Sequence, residues 1–156
     1  MKEKYINLYM DWAKRAAELS HARRLKVGAV IVKDDTVISY GYNGMPAGWD
    51  NNCEYEDLGF SEAVFGVPQT LVNRGLKTRP EVLHSESNAI SKLARSSNSG
   101  QGADLFVTHS PCIECAKLIY QSGIKRVWFG QQYRDDSGIK FLEKSGVEVT
   151  QLPINS

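Results

Sequence analysis

The sequence predicts an α/β fold, a three-layer α/β/α sandwich on a mixed five-stranded sheet covered by helices. Three observations predict it. One amphipathic helical pattern opens the chain, two short apolar runs follow with a brief break between them, and the second half alternates strand and helix patterns. The adjacent runs imply a hairpin. The alternation implies a partly parallel sheet with helices packed over it.

Within residues 4–19, Tyr5, Leu8, Tyr9, Trp12, Ala16 and Leu19 recur three and four apart, which predicts a helix with this stripe in the core. V-G-A-V-I-V (27–32), Asp34-Asp35 and T-V-I-S-Y-G-Y (36–42) predict two strands joined by a short turn. Residues 43–80 show no clear period; a segment this long inside a compact domain is usually functional, and short helical turns are expected within it. Residues 84–95 predict a helix with Ala89, Ile90 and Leu93 on one face, and 103–108 a strand. Residues 111–122 predict a second helix of this half, with Pro111 in its first turn and Gly123 at its end. A strand at 126–130, a helix at 138–145 and a strand at 147–152 complete the pattern. At 156 residues the chain fits a single domain, 1–156, without internal repeat or linker.

Apolar residues make up 42% of the chain and charged residues 24%, the balance of an ordinary globular protein. No apolar run is long enough to span a membrane, and the N-terminus lacks the apolar centre of a signal peptide. A cytoplasmic protein without membrane partners is expected. The net charge of +1 supplies no global field for nucleic acid. The local basic run His21, Arg23, Arg24 and Lys26 has the donors a phosphate needs, and equally reads as a solvated basic turn.

Two segments carry chemistry: His84-Ser85-Glu86 and Pro111-Cys112-Ile113-Glu114-Cys115. Taken alone, each has a plainer reading. A C-x-x-C can be redox-active or structural, a lone histidine a satisfied polar group, and a glutamate on a helix merely solvated. Together they offer more. Cys112 and Cys115 are three apart and share a helix face. At a helix start their thiolates are favoured by the dipole and by free N–H groups. With His84 they form a Cys2His set, which leaves tetrahedral zinc one position for water, as catalytic sites do. Glu86, kept off the metal, is then the group that takes a proton from that water and returns protons to a substrate.

H-x-E followed by P-C-x-x-C, each opening a helix, is similar to the zinc-deaminase signature. Beyond it the chain resembles the deoxycytidylate (dCMP) deaminase family from about residue 5 to residue 153. Four stretches carry the resemblance: R-L-K-V-G-A-V-I-V (24–32), G-Y-N-G-M-P-A-G (41–48), H-S-E-S-N-A-I (84–90) and T-H-S-P-C-I-E-C-A-K-L-I (108–119). The resemblance implies a cytidine-deaminase-like fold, one zinc ion per chain and hydrolysis of dCMP to dUMP for thymidylate synthesis. It implies a homo-oligomer, often a hexamer. It also implies activation by dCTP and inhibition by dTTP, each bound with magnesium. Carried over by position, His84, Cys112 and Cys115 hold zinc and Glu86 moves protons. Asn43, Ser85, Ser110, Pro111 and Tyr133 contact the substrate. Arg24, Lys26, Gly41, Gly44, Met45, Pro46, Asn88 and Arg95 lie near nucleotide phosphates or the effector. Two departures stand out: Ser85 occupies a position the family usually fills with alanine, and His109 one that is often apolar. His21 and Cys53 are the only His or Cys before His84, too few for a second, structural zinc site.

Two rival readings separate on simple features. A deaminase of a nucleoside or of a tRNA base shares the metal motif, and the polynucleotide version needs a basic stripe with stacking aromatics. A zinc-stabilised binding module needs a fourth protein ligand and leaves Glu86 without a task.

Overall fold

The computed structural model describes residues 1–60, 66 and 70–153. Helix α1 (Glu3–Ala17) leads to strands β1 (Gly28–Lys33) and β2 (Thr36–Tyr42), then to β3 (Glu54–Phe60) and β4 (Leu71–Thr78). Helix α2 (Ser85–Ala94), strand β5 (Asp104–His109), helix α3 (Ile113–Gln121), strand β6 (Arg126–Gln131), helix α4 (Ser137–Lys144) and strand β7 (Glu148–Gln151) follow. The main sheet has the order β2-β1-β5-β6-β7. β1 is antiparallel to β2 and β5, whereas β5, β6 and β7 run parallel. The sheet is therefore mixed, and parallel where helices intervene, as the alternation predicts.

β1 and β5 are apolar on both faces because each lies between two helical layers. Ala29, Ile31, Leu105 and Val107 pack with Ala89 and Leu93 of α2, Ala116 and Ile119 of α3 and Leu142 of α4. Val30, Val32 and Phe106 pack with Tyr9, Met10 and Ala13 of α1. Successive residues of one strand thus serve opposite layers. Asp34 and Asp35, at φ 50° and 57°, make the tight turn between β1 and β2. Side chains of α2 close the sheet at β2: Lys92 Nζ donates to the Tyr40 carbonyl and Asn88 Nδ2 to that of Tyr42. No helix among the described residues is long and apolar enough to cross a membrane.

Three expectations change. The predicted stripe is only partly buried: its Tyr9 and Ala16 are buried, together with Met10, Ala13 and Ala17, whereas Tyr5, Leu8, Trp12 and, just past the helix, Leu19 are exposed. The helix has two apolar faces, and the one rich in alanine goes inward because small side chains let it approach the sheet closely. The stretch 43–80 holds two strands where helical turns were expected. β3 and β4 pair as a separate antiparallel hairpin with an irregularity between Glu56 and Leu58. Most of its residues face solvent, so no buried face imposed the alternation that marks a strand. Residues 61–65 and 67–69 of that stretch lie outside the described residues. Finally, α3 begins at Ile113, with Cys112 as its extended N-cap (φ −71°, ψ 169°) and Pro111 before the helix.

Candidate active site

The site forms beyond the carboxyl ends of β5 and β6, where loops of parallel strands can converge on a ligand. β5 delivers His109 and then Ser110, Pro111 and Cys112; β6 is followed by Tyr133, Arg134 and Asp135. Two helix N-termini meet there. His84 caps α2 and Cys112 caps α3, each in an extended conformation, and Cys115 sits in the first turn of α3. His84 Nδ1 lies 3.6 Å from Cys112 Sγ and 3.4 Å from Cys115 Sγ. All three ligand atoms fall within 4.8 Å of one another, and no fourth His, Cys, Asp or Glu joins them among the described residues. One imidazole nitrogen and two sulfurs at that spacing fit zinc with an open coordination position. None of the three cysteines is in a disulfide.

The electrostatics suit a cation. The Cys112 thiol is pulled down to about 4, first by its hydrogen bond to Cys115 and then by the one to His84. Cys115 is pushed up by the same pairing and by burial, so Cys112 holds the first negative charge of the pair. The partnership with Cys112 raises His84. Beside them Glu86 is 4% exposed, and its burial raises its carboxyl above the usual range. A carboxyl held up in this way keeps a proton more readily than an exposed one. Its Oε1 accepts a short hydrogen bond from the Ser85 hydroxyl.

His84, Ser85, Glu86 and Cys112 line a cavity of about 670 Å³, large enough for a small ligand. Arg24, Thr78 and Arg134 line the same cavity, with Arg24 Nη1 3.3 Å from Thr78 Oγ1. Two guanidinium groups are the side chains best suited to an anionic oxygen cluster.

Residues 3–131, including all three candidate ligands and Glu86, match the model of the cytidine and deoxycytidylate deaminase zinc-binding region. The chain belongs to the cytidine and deoxycytidylate deaminase family. It is 35% identical over 156 residues to the deoxycytidylate deaminase of Enterobacteria phage T4, covering 82% of this chain and 79% of that one. With the deoxycytidylate deaminase of Mycobacterium phage D29 it shares 40% identity over 124 residues, 80% of this chain and 92% of the other. The solved dCMP deaminase of cyanophage S-TIM5 in complex with dCMP and dUMP is 38% identical. It superposes with a TM-score of 0.81 over 97% of this chain and 99% of that one.

The deaminase gathers only part of the residues singled out by sequence. Asn43, Ser85, Ser110 and Tyr133 line the cavity with His84, Glu86 and Cys112, and so does Arg24. The Asn43 carboxamide holds the entry to β1: Oδ1 accepts from the Val27 amide and Nδ2 donates to the Leu25 carbonyl, both at 2.8 Å. Ser110 Oγ accepts the Tyr133 amide at 2.8 Å, which ties the loop after β6 to the ligand loop. The Tyr133 ring lies 5.7 Å from that of His109, and burial pushes its phenol up to about 12. His109 Nδ1 is 2.8 Å from Thr108 Oγ1, and burial lowers its imidazole.

The others lie apart from the cavity. Pro111 is fully buried under the ligand loop. Lys26 is exposed, and Arg95 is the exposed C-cap of α2, at the end remote from His84. Asn88 is committed to the Tyr42 carbonyl. Gly41 packs against α2, where a Cβ would meet the Ser85 carbonyl oxygen at 2.3 Å. Gly44 pairs with Leu83, next to His84. Met45 packs on Ala22, Cys53 and Val82, and Pro46 is half-buried beside it. Sequence reasoning passed over Thr78, Arg134 and Asp135. The last two had a signal in the charged run directly after a parallel strand. Thr78 had none, because its place depends on the β3–β4 hairpin.

Gly138 anchors the second ligand segment. A Cβ there would stand 2.1 Å from the Pro111 carbonyl oxygen and 2.9 Å from that of Cys112. Gly138→Ala is therefore expected to cost about 1–3 kcal/mol by overpacking and to weaken zinc binding about 10–100-fold by displacing Cys112. Chelator competition and thermal melts measure both. Wild-type values in both would show that α4 yields at that contact and does not hold the ligand loop.

Proposed function

We propose that this deaminase hydrolyses dCMP to dUMP and ammonia, using one zinc ion held by His84, Cys112 and Cys115. The observation that carries the proposal is the buried Glu86 beside that cluster, in a cavity that Arg24 and Arg134 also line. The similarity to a solved enzyme holding dCMP and dUMP supports the choice of substrate. Zinc bound there supplies an electrophilic centre that acidifies water. Glu86 removes a proton from the attacking water and delivers it to the ring nitrogen next to the amine-bearing carbon. It then carries the remaining hydroxyl proton to the amine, which leaves as ammonia. Arg24 and Arg134 hold the 5′-phosphate, and His109 and Tyr133 form the wall on which the pyrimidine lies.

The finer reading places the reaction in the cytoplasm, in supply of thymidylate, on a homo-oligomer that dCTP activates and dTTP inhibits. Each effector brings magnesium on its triphosphate. Residues 41–48 serve as the effector segment, and the pairing of Gly44 with Leu83 connects them to His84. Effectors with opposite signs must each favour a different one of two states.

The test is ammonia release from dCMP, dCTP, deoxycytidine, CMP and a tRNA anticodon stem, with and without dCTP and dTTP. dCMP is expected to have the highest kcat/KM. Arg24→Ala and Arg134→Ala are each expected to raise KM for dCMP about 10–100-fold, the loss of about 1.5–3 kcal/mol from a charged hydrogen bond. Deoxycytidine, lacking the phosphate, should respond little to either change. A preference for deoxycytidine or the anticodon stem would refute the substrate, and rates indifferent to both triphosphates would refute the regulation.

A further inference from the structure

We infer that Ser85 is a positioning residue for proton transfer: its hydroxyl engages Oε1 of Glu86 and so reserves Oε2 for the exchange with substrate. The inference rests on the deaminase reading above and adds to it which carboxylate oxygen works.

Four observations support it. Ser85 is fully buried and Glu86 nearly so, and both line the cavity. The Ser85 hydroxyl donates to Glu86 Oε1 and to no other described group. Ser85 is the first residue of α2, so no preceding helical turn offers a carbonyl to draw the hydroxyl away, as it does for serines deeper in helices. Its backbone cannot drift, because β2 passes so close that a Cβ on Gly41 would touch the Ser85 carbonyl oxygen at 2.3 Å and the Ala89 nitrogen at 2.8 Å.

The consequence follows from hydrogen-bond capacity. The last torsion of a glutamate is broad and close to two-fold, so a free carboxylate presents either oxygen. A hydroxyl has one proton to give. Donated to Oε1, it fixes the plane of the carboxylate and occupies one acceptor site of that oxygen, which leaves Oε2 the freer atom for an incoming proton. The rate then gains from orientation alone, since transfer requires the acceptor atom within hydrogen-bond reach of the moving proton. Mere packing predicts something different: alanine is as small as serine, so Ser85→Ala would be silent.

The experiment compares wild type, Ser85→Ala, Glu86→Gln and the double variant by steady-state kinetics on dCMP, with zinc content measured on each. Ser85→Ala is expected to lower kcat about tenfold, with KM within about twofold of wild type and zinc at wild-type level, the mark of an interaction made in the transition state. In the Glu86→Gln background the same change should alter the residual rate by less than about twofold, because Ser85 acts only through that carboxylate. An unchanged kcat in Ser85→Ala overturns the inference. So does a tenfold loss that persists in the Glu86→Gln background, or one that accompanies loss of zinc. If wild type spares dCMP and deaminates another cytosine compound, the proposed substrate fails, and the four-way comparison is read on that compound.

Discussion

Glu86→Gln is expected to retain zinc and bind dCMP while losing at least about 10²-fold in kcat, the lower end of what general acid–base catalysis contributes. Glutamine keeps the shape of the side chain and removes its ability to accept and return a proton. The site offers no obvious replacement. Among the described titratable groups lining the cavity, His84 and Cys112 belong to the ligand cluster, His109 is engaged with Thr108, the Tyr133 phenol is pushed up to about 12, and Asp135 accepts the Ser137 amide on Oδ1. Glu54, although buried, has both carboxylate oxygens on the Arg23 amide, at 2.8 and 2.9 Å. The measurements are metal content, dCMP binding by calorimetry and single-turnover ammonia release. Near-normal turnover in the variant would transfer the proton role to another group. Loss of zinc would make Glu86 a structural partner of the cluster.

Removing a thiolate should have the other large effect. Cys112→Ala and Cys115→Ala are each expected to lose zinc and turnover together, by more than the ~10–100-fold that follows loss of an outer hydrogen-bond partner of a metal ligand. Two protein ligands remain in each variant, and no other described His, Cys, Asp or Glu stands close enough to complete the set. His84→Ala should follow the same course. Because Cys115 is buried and Cys112 half-buried, the two cysteine variants differ in a second respect. Cys115→Ala leaves a gap in the interior beside Ala116 and should also lower Tm, whereas Cys112→Ala should affect mainly metal binding. Elemental analysis with thermal melts separates these outcomes. Full zinc occupancy in either cysteine variant would remove that residue from the site.

Local chemistry made part of this protein legible in one dimension. The ligand set can be read because ligand spacing is short-range: Cys112 and Cys115 are three apart at a helix start, and His84 and Glu86 lie together at another. The central strands can be read because burial on both faces leaves continuous apolar runs, as at residues 28–32 and 105–107. The hairpin β3–β4 could not be read this way. Its residues bury neither face consistently, so no period records it. The same lack of contrast misdirected part of the reading of α1, whose exposed Leu8 and Trp12 are as apolar as its buried Tyr9 and Met10.

What the sequence alone determined, then, is the layered α/β class, the three candidate ligands and Glu86 as the candidate acid beside them, because each depends on residues close in the chain or on a repeating pattern. Only the tertiary structure decided which remote residues meet them. It brought Arg24 from before β1, Thr78 from the end of β4 and Arg134 from after β6 to one cavity with Glu86. It left Arg95 at the far end of α2 and committed Asn88 to the edge strand. Those placements depend on the order of strands in the sheet and on how closely Gly41 and Gly138 let neighbouring segments approach. Such distances are set by packing between segments far apart in the chain, and local spacing carries no record of them.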